Sequence, residues 1–148
     1  MRIVGAVEHE ATICEWLAHR YGVAVYQAPR AVLGIIDDSG VLRGAFVITW
    51  RSETTAELHV YGKTSNDTVK AMFRLVFLEW GIWRLEVRTR KENRTVRRAA
   101  PKFGFTFQGT EREYYGPGQD AYAFSMMPHQ CRWINGLTLQ NTKSASAA

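Results

Sequence analysis

The 148-residue chain is 46% hydrophobic and carries five Trp, six Tyr and seven Phe, which excludes a disordered protein and suits one domain with one core. No apolar run approaches the ~18–20 residues of a membrane span, and Cys14 and Cys131 are too few for a disulfide framework or a cysteine-based metal site. With no secretory leader pattern, both cysteines are expected as reduced thiols in the cytoplasm.

After a short apolar start, Met1 to Val7, residues 8–20 read as a helix, with Ile13, Trp16 and Leu17 on one face and Gly22 at its end. Ala31 to Ile36 is rich in branched residues and reads as a strand. The turn Asp37-Asp38-Ser39-Gly40 returns the chain into Val41 to Trp50, so the pair forms a hairpin. Thr55 to Tyr61 is a further strand, with Ala56, Leu58 and Val60 on one face and Glu57, His59 and Tyr61 on the other. Asn66 to Trp80 has the clearest helical pattern: Val69, Met72, Phe73, Val76, Phe77 and Trp80 recur at core-facing spacing. Thr64 or Ser65 caps its start and Gly81 stops it. Residues 84–89 form a strand and 94–103 a helix, with Val96, Ala99, Ala100 and Phe103 inward and Arg94, Arg97, Arg98 and Lys102 on the other side. Phe105 to Glu111 and Ala121 to Met126 close as a strand pair around the turn-forming Tyr115-Gly-Pro-Gly118. The order α, β-β-β, α, β, α, β-β predicts a mixed α/β (α+β) fold with helices on both faces of one sheet. Residues 1–135 are expected to form the single domain, and 136–148 a flexible polar tail.

Charge is unevenly placed. Residues 84–102 hold eight Lys/Arg and two Glu, whereas the rest of the chain nets −1 against a total of +5. One strand-plus-helix unit therefore carries the positive charge and suits an anionic partner, a nucleotide cofactor or a nucleic acid, although a solvated basic helix face has the same composition.

The stretch from Arg84 to Thr89 through Asn93, Gly104-Phe105, Gly109, Arg112, Asp120 and Tyr122 resembles the GNAT N-acyltransferases. The resemblance covers about residues 8–127 and implies a central mixed, mostly antiparallel twisted sheet with helices on both faces. It also implies acetyl-CoA as co-substrate and an amine-bearing acceptor, and it allows a homodimer. It places the cofactor along Val60, Tyr61, Gly62, Lys63, Thr64, Ser65 and Asn66, with Asn93 and Arg97 opposite. The family's pyrophosphate loop has a second glycine that is missing here, and Lys63, Thr64 and Ser65 stand in its place. Gly62-Lys63-Thr64 also echoes the end of a P-loop, without that motif's upstream glycine. Asn93 serves equally as a helix cap and as a cofactor contact.

Amine acylation needs a base for the amine and an acid for the leaving thiolate. Glu57 and His59, alternating on the strand that the resemblance sets beside the thioester, are the expected bases. As ordinary polar residues of an outward sheet face they would look the same. The family's acid is a Tyr in the helix before the Gly-Phe pair, where this chain has Ala99-Ala100-Pro101, leaving Tyr114, Tyr115 or Tyr122. No metal is expected.

Two further readings share the fold. The segment Met127 to Trp133 resembles a group of phage GNAT-like proteins, some of which modify DNA bases. Arg88, Arg90, Lys91, Arg94, Arg97 and Arg98 would then contact phosphate, and Trp50, Trp83 or Trp133 would stack on an extruded base. The missing glycine and tyrosine also suit a non-catalytic binding or virion module.

Overall fold

The computed structural model describes residues 1–5, 7–23 and 30–134. Seven strands form one sheet in the order β1-β2-β3-β4-β5-β7-β6. In chain order these are β1 (Arg2–Val4), α1 (Val7–Tyr21), β2 (Arg30–Ile36), β3 (Leu42–Trp50), β4 (Thr55–Gly62), α2 (Asn66–Phe73), β5 (Arg84–Arg90), α3 (Arg94–Phe103), β6 (Thr106–Glu111) and β7 (Ala121–Met126). Every neighbouring pair is antiparallel except β4 and β5. This is the expected mixed, mostly antiparallel sheet. The expected tail, 136–148, lies outside the described residues.

Period-2 alternation divides the sheet's side chains between two cores. On one face Leu33, Ile35, Phe46, Ile48, Ala56, Leu58 and Leu85 pack with Val69, Met72, Phe73, Val76 and Phe77 of the second helix and with Ala100 of α3. On the other face Val32, Ala45 and Val47 pack against Ile13 and Leu17 of α1. Gly34 lets α1 approach: a Cβ there would stand 3.0 Å from the Ile13 side chain. Helices therefore cover both faces, α1 on one and α2 with α3 on the other.

The Asn66 to Trp80 helix forms as its periodicity predicts, but its second half widens. Arg74–Glu79 is a π-helical segment in which the Trp80 N–H bonds the Leu75 carbonyl, 2.8 Å away and five residues back. Gly81, at φ +66°, ends it. One element has no counterpart among the expected ones: Arg2–Val4 pairs antiparallel with β2 as the edge strand β1. Three residues are too few for a periodicity to register, and the ladder of the neighbour creates the strand.

Phe73 is 1% exposed and its ring lies about 6 Å from those of Phe77 and Phe105. Phe73→Ala is expected to lower unfolding free energy by about 3–5 kcal/mol, read as a lower denaturation midpoint with little change in denaturant slope.

Candidate functional site

The parallel neighbours β4 and β5 share three residue pairs, Thr55↔Arg84, Ala56↔Leu85 and Glu57↔Glu86. Beyond Glu57 each strand stays with its other partner, β4 with β3 as far as Gly62 and β5 with β7 as far as Arg90. The two strands part, and the gap is a cleft with two chemically distinct sides. Toward α2 and α3 lies a hollow of about 260 Å³ walled mainly by apolar side chains, including Val60, Met72, Val87, Val96 and Phe105. Toward the opposite face lies a polar hollow of about 270 Å³, which His59, Tyr61, Arg88, Arg90, Asn93 and Tyr115 help to line. Leu58, Val60, Val87 and Val96 border both.

The loop that leaves β4 for α2 is shaped by glycines. Gly62 has φ +75° and faces Gly44 across the β3–β4 ladder, so tightly that a Cβ on Gly62 would meet the Arg43 carbonyl and stand 2.9 Å from the Gly44 Cα. The Lys63 N–H donates to the Arg43 carbonyl at 3.0 Å and fastens the loop to β3. Ser65 caps α2 in a reciprocal box: its hydroxyl accepts from the Thr68 N–H at 3.2 Å, and the Thr68 hydroxyl accepts from the Ser65 N–H at 2.9 Å. The cap uses the Ser65 hydroxyl within the protein and leaves the Asn66 and Asp67 N–H groups at the helix start without an intrahelical partner. Thr64 and Gly62 line the apolar hollow.

Across the cleft, Asn93 begins α3, its side-chain oxygen accepting from the Val96 N–H at 3.2 Å. Arg97 donates to the Lys91 carbonyl at 2.8 Å and lies over the Tyr122 ring at 4.5 Å. Both residues hold the start of α3 in place, and Asn93 also lines the polar hollow.

Glu57 is the most unusual group of the site. A carboxylate with 1% exposure needs compensating charge, and two guanidiniums supply it. Arg51 bonds it through Nε at 3.0 Å and through Nη2, and Arg88 Nη1 lies 3.5 Å away. Arg88 is shared: it also bonds Glu86 at 3.2 Å and Glu111 at 3.1 Å. Burial opposes its charge, but the bonds to Glu111 and Glu86 and the nearby Glu57 carboxylate hold it above the ordinary arginine value. His59 Nε2 lies 3.5 Å from the other Glu57 oxygen. Burial pushes the imidazole below its usual value; Glu57 pulls it back, and Arg51 and Arg88 add to the lowering. His59 is therefore neutral near pH 7, with a carboxylate at its side.

The expected site residues fall into separate groups. Glu57, His59 and Tyr61 share the polar face, as their alternation predicts. Tyr122 lies across the sheet from Glu57 and His59. It pairs with Thr89 in the ladder and packs with Phe107 and Arg97 on the α3 side. Tyr115 instead lines the polar hollow, its ring 4.5 Å below the Arg90 guanidinium. Burial raises its hydroxyl above the ordinary tyrosine value, with Tyr114 and Glu57 adding to the effect, so it stays protonated.

Of the proposed phosphate contacts, Arg88 is committed to carboxylates and Arg97 to the fold, while Arg94 and Arg98 are exposed. Of the proposed base stackers, Trp50 packs on Trp80 and Trp133 donates to the Phe103 carbonyl at 2.9 Å; Trp83 is exposed. The pairing of Arg51 and Arg88 with Glu57 is not part of the sequence reading. Its signal was partial: Glu86, Arg88 and Arg90 alternate on β5 as Glu57 and His59 do on β4, but nothing local says that the two strands are neighbours.

No protein-family profile and no curated protein sequence matches the chain. Solved structures do. A point variant of the spermidine N-acetyltransferase SpeG from Vibrio cholerae superposes with a TM-score of 0.73 at 11% identity, covering 91% of this chain and 98% of that one. The spermidine/spermine N-acetyltransferase SpeG from Vibrio cholerae in complex with manganese ions gives 0.70 at 10% identity, covering 92% and 94%. An acetyltransferase of the GNAT family from Bacillus anthracis gives 0.56 at 18% identity, covering 65% of each chain. The chain thus has the fold of the GNAT acetyltransferases.

Proposed function

We propose that the protein is an N-acetyltransferase that moves an acetyl group from acetyl-CoA to an amine by direct attack in a ternary complex. The observation that carries this reading is the parting of β4 and β5 into a cleft with an apolar side and a polar side. An acyl-pantetheine arm is long, narrow and mostly uncharged, and the apolar hollow bordered by Val60, Val87 and Val96 suits it. Lys63 offers a cation to a diphosphate, and the free Asn66 and Asp67 N–H groups at the start of α2 offer donors, despite the missing second glycine. When bound, acetyl-CoA would supply the electrophilic acyl carbon.

The chain's own groups would do the rest. His59, neutral at pH 7, accepts a proton from the incoming ammonium or from a water beside it. Glu57 holds the imidazole from behind and stabilises the imidazolium that forms. Arg51 and Arg88 face the buried Glu57 carboxylate with two guanidiniums. Tyr115 remains protonated in the cleft and is able to donate. Held in one cleft, amine and acyl group gain rate from proximity as well as from proton transfer. The fold carries no membrane-crossing helix among the described residues.

Calorimetric titration with acetyl-CoA, and separately with CoA, tests the cofactor half. We expect micromolar binding that weakens by about 1–2 kcal/mol, roughly five- to thirtyfold, in Lys63→Ala, which removes one charge-assisted contact. No binding up to millimolar concentration would end the acetyl-CoA reading.

The pH dependence of kcat/KM tests the base. Because His59 is lowered in the free protein, its neutral form persists on acidification, so the His59 acid limb of wild-type kcat/KM should lie below the ordinary value of 6.5 and be absent from His59→Gln. A limb at the same pH in both proteins would assign it to another group.

Glu57→Gln leaves two arginines facing a neutral amide. It is expected to cost about 1–3 kcal/mol of stability by thermal unfolding, less than the loss of a fully buried partner because the Arg51 side chain is 48% exposed. It should also lower kcat at unchanged acetyl-CoA affinity.

A further inference from the structure

We infer that the acceptor is an amine that also carries an anion, a carboxylate or a phosphate, and that Arg90 recognises that anion. The inference rests on the acyltransfer reading above and concerns the polar hollow of the same cleft.

Three observations point the same way. First, the hollow is lined by two arginines, Arg88 and Arg90, by Tyr61 and Tyr115, and by no Asp or Glu. Second, the carboxylates on the strands that form its wall already have cations: Glu57 holds Arg51 and Arg88, Glu86 holds Arg84 and Arg88, and Glu111 holds Arg88. Third, Arg90 has no carboxylate partner among the described residues: its Nη1 donates to the Gln119 side-chain oxygen at 2.6 Å and its guanidinium lies 4.5 Å over the Tyr115 ring.

A guanidinium held flat over a ring by one amide bond keeps other N–H donors for a ligand, in the planar fork that suits carboxylate and phosphate. It is also oriented in advance, so little side-chain freedom is lost on binding. The cationic wall has a second effect. It favours the neutral form of a nearby amine, the form that attacks, and the acceptor's anion offsets the cost of placing an ammonium ion there. A polyamine brings only positive charge to this wall and meets repulsion. Although the fold is that of spermidine acetyltransferases, the charge of this hollow is the reverse of what spermidine requires.

Glutamate, phosphoethanolamine and spermidine are the probes, each measured by direct calorimetric binding to the protein with and without CoA, and by thiol release from acetyl-CoA. We expect the carboxylate or the phosphate amine to bind and to be acetylated with kcat/KM at least tenfold above spermidine. Arg90→Gln should raise KM for the anionic amine about 10–100-fold, the worth of one charge-assisted bond, with kcat within about twofold, and Arg90→Lys should recover part of the loss. Arg90 is exposed, so unfolding temperature should not move, which separates lost recognition from lost folding. The glutamate and phosphoethanolamine arms distinguish the two anions. Tighter binding or faster acetylation of spermidine, or an Arg90→Gln protein with unchanged KM, would overturn the inference, as would failure of both anionic amines to bind at about 10 mM, where even a weak charged contact registers. Absence of thiol release with every amine, alongside binding of an anionic amine that Arg90→Gln abolishes, would count against acyl transfer while sustaining the anion site.

Discussion

Two strands that run parallel at the centre of the sheet share only three residue pairs, and the remainder of the molecule is organised around their parting. Elsewhere in the sheet, unpaired backbone and unmet side chains would have to be avoided. Here the ladder ends at Glu57 and Glu86, and the strands keep hydrogen bonds only to their outer partners. A sheet opened in this way presents backbone and side chains of both edges to one ligand. The apolar side of the opening belongs to the core that α2 and α3 cover, so its shape is fixed by the same packing that stabilises the domain. Function and stability are tied at this seam: Val60, Val87 and Val96 wall the cleft on elements whose other residues fill the core.

The polar side is fixed by charge. Burying the Glu57 carboxylate is tolerable because Arg51, on the turn before its own strand, and Arg88, on the neighbouring strand, both reach it. Arg88 then ties three strands together through Glu57, Glu86 and Glu111. The same arrangement leaves His59, lowered by partial burial and by Arg51 and Arg88, neutral beside the Glu57 carboxylate. One lattice of ion pairs thus sets the surroundings of His59 and its protonation. The last element to join it is the β6–β7 loop, where Tyr114 and Tyr115 lie beneath Arg88 and Arg90. Glu113, at φ +53°, is held in that conformation by Asp120, which accepts its N–H at 2.9 Å. The loop brings Tyr115, and not Tyr122, into the hollow.

Much of the fold is legible in the chain because its elements carry strong local signals. The second helix has six core positions at helical spacing, a Ser65 cap and a Gly81 stop, and all three features function as read. The Asp37 to Gly40 turn dictates the β2–β3 hairpin. The alternation on β4 correctly assigns Glu57, His59 and Tyr61 to one face. Where local signal is weak, the reading stops short. β1 is three residues long and exists because β2 offers it an edge. The π-helical widening at Arg74–Glu79 leaves no mark in a pattern that tolerates one extra residue.

What the sequence alone determined is therefore most of the elements, their order, the inward face of each, and the placing of Glu57 and His59 on one face of β4. Periodicity and capping are properties of neighbours along the chain, and they need no partner to be read. The tertiary structure alone decided which strands adjoin. That choice makes Arg88 a partner of Glu57 and leaves Arg90 with no carboxylate partner among the described residues. It sends Tyr122 to the far face, and it opens the cleft by ending one ladder after three pairs. Charge compensation and cleft geometry act across tens of residues of sequence and a few ångströms of space, so they come into being only when the sheet does.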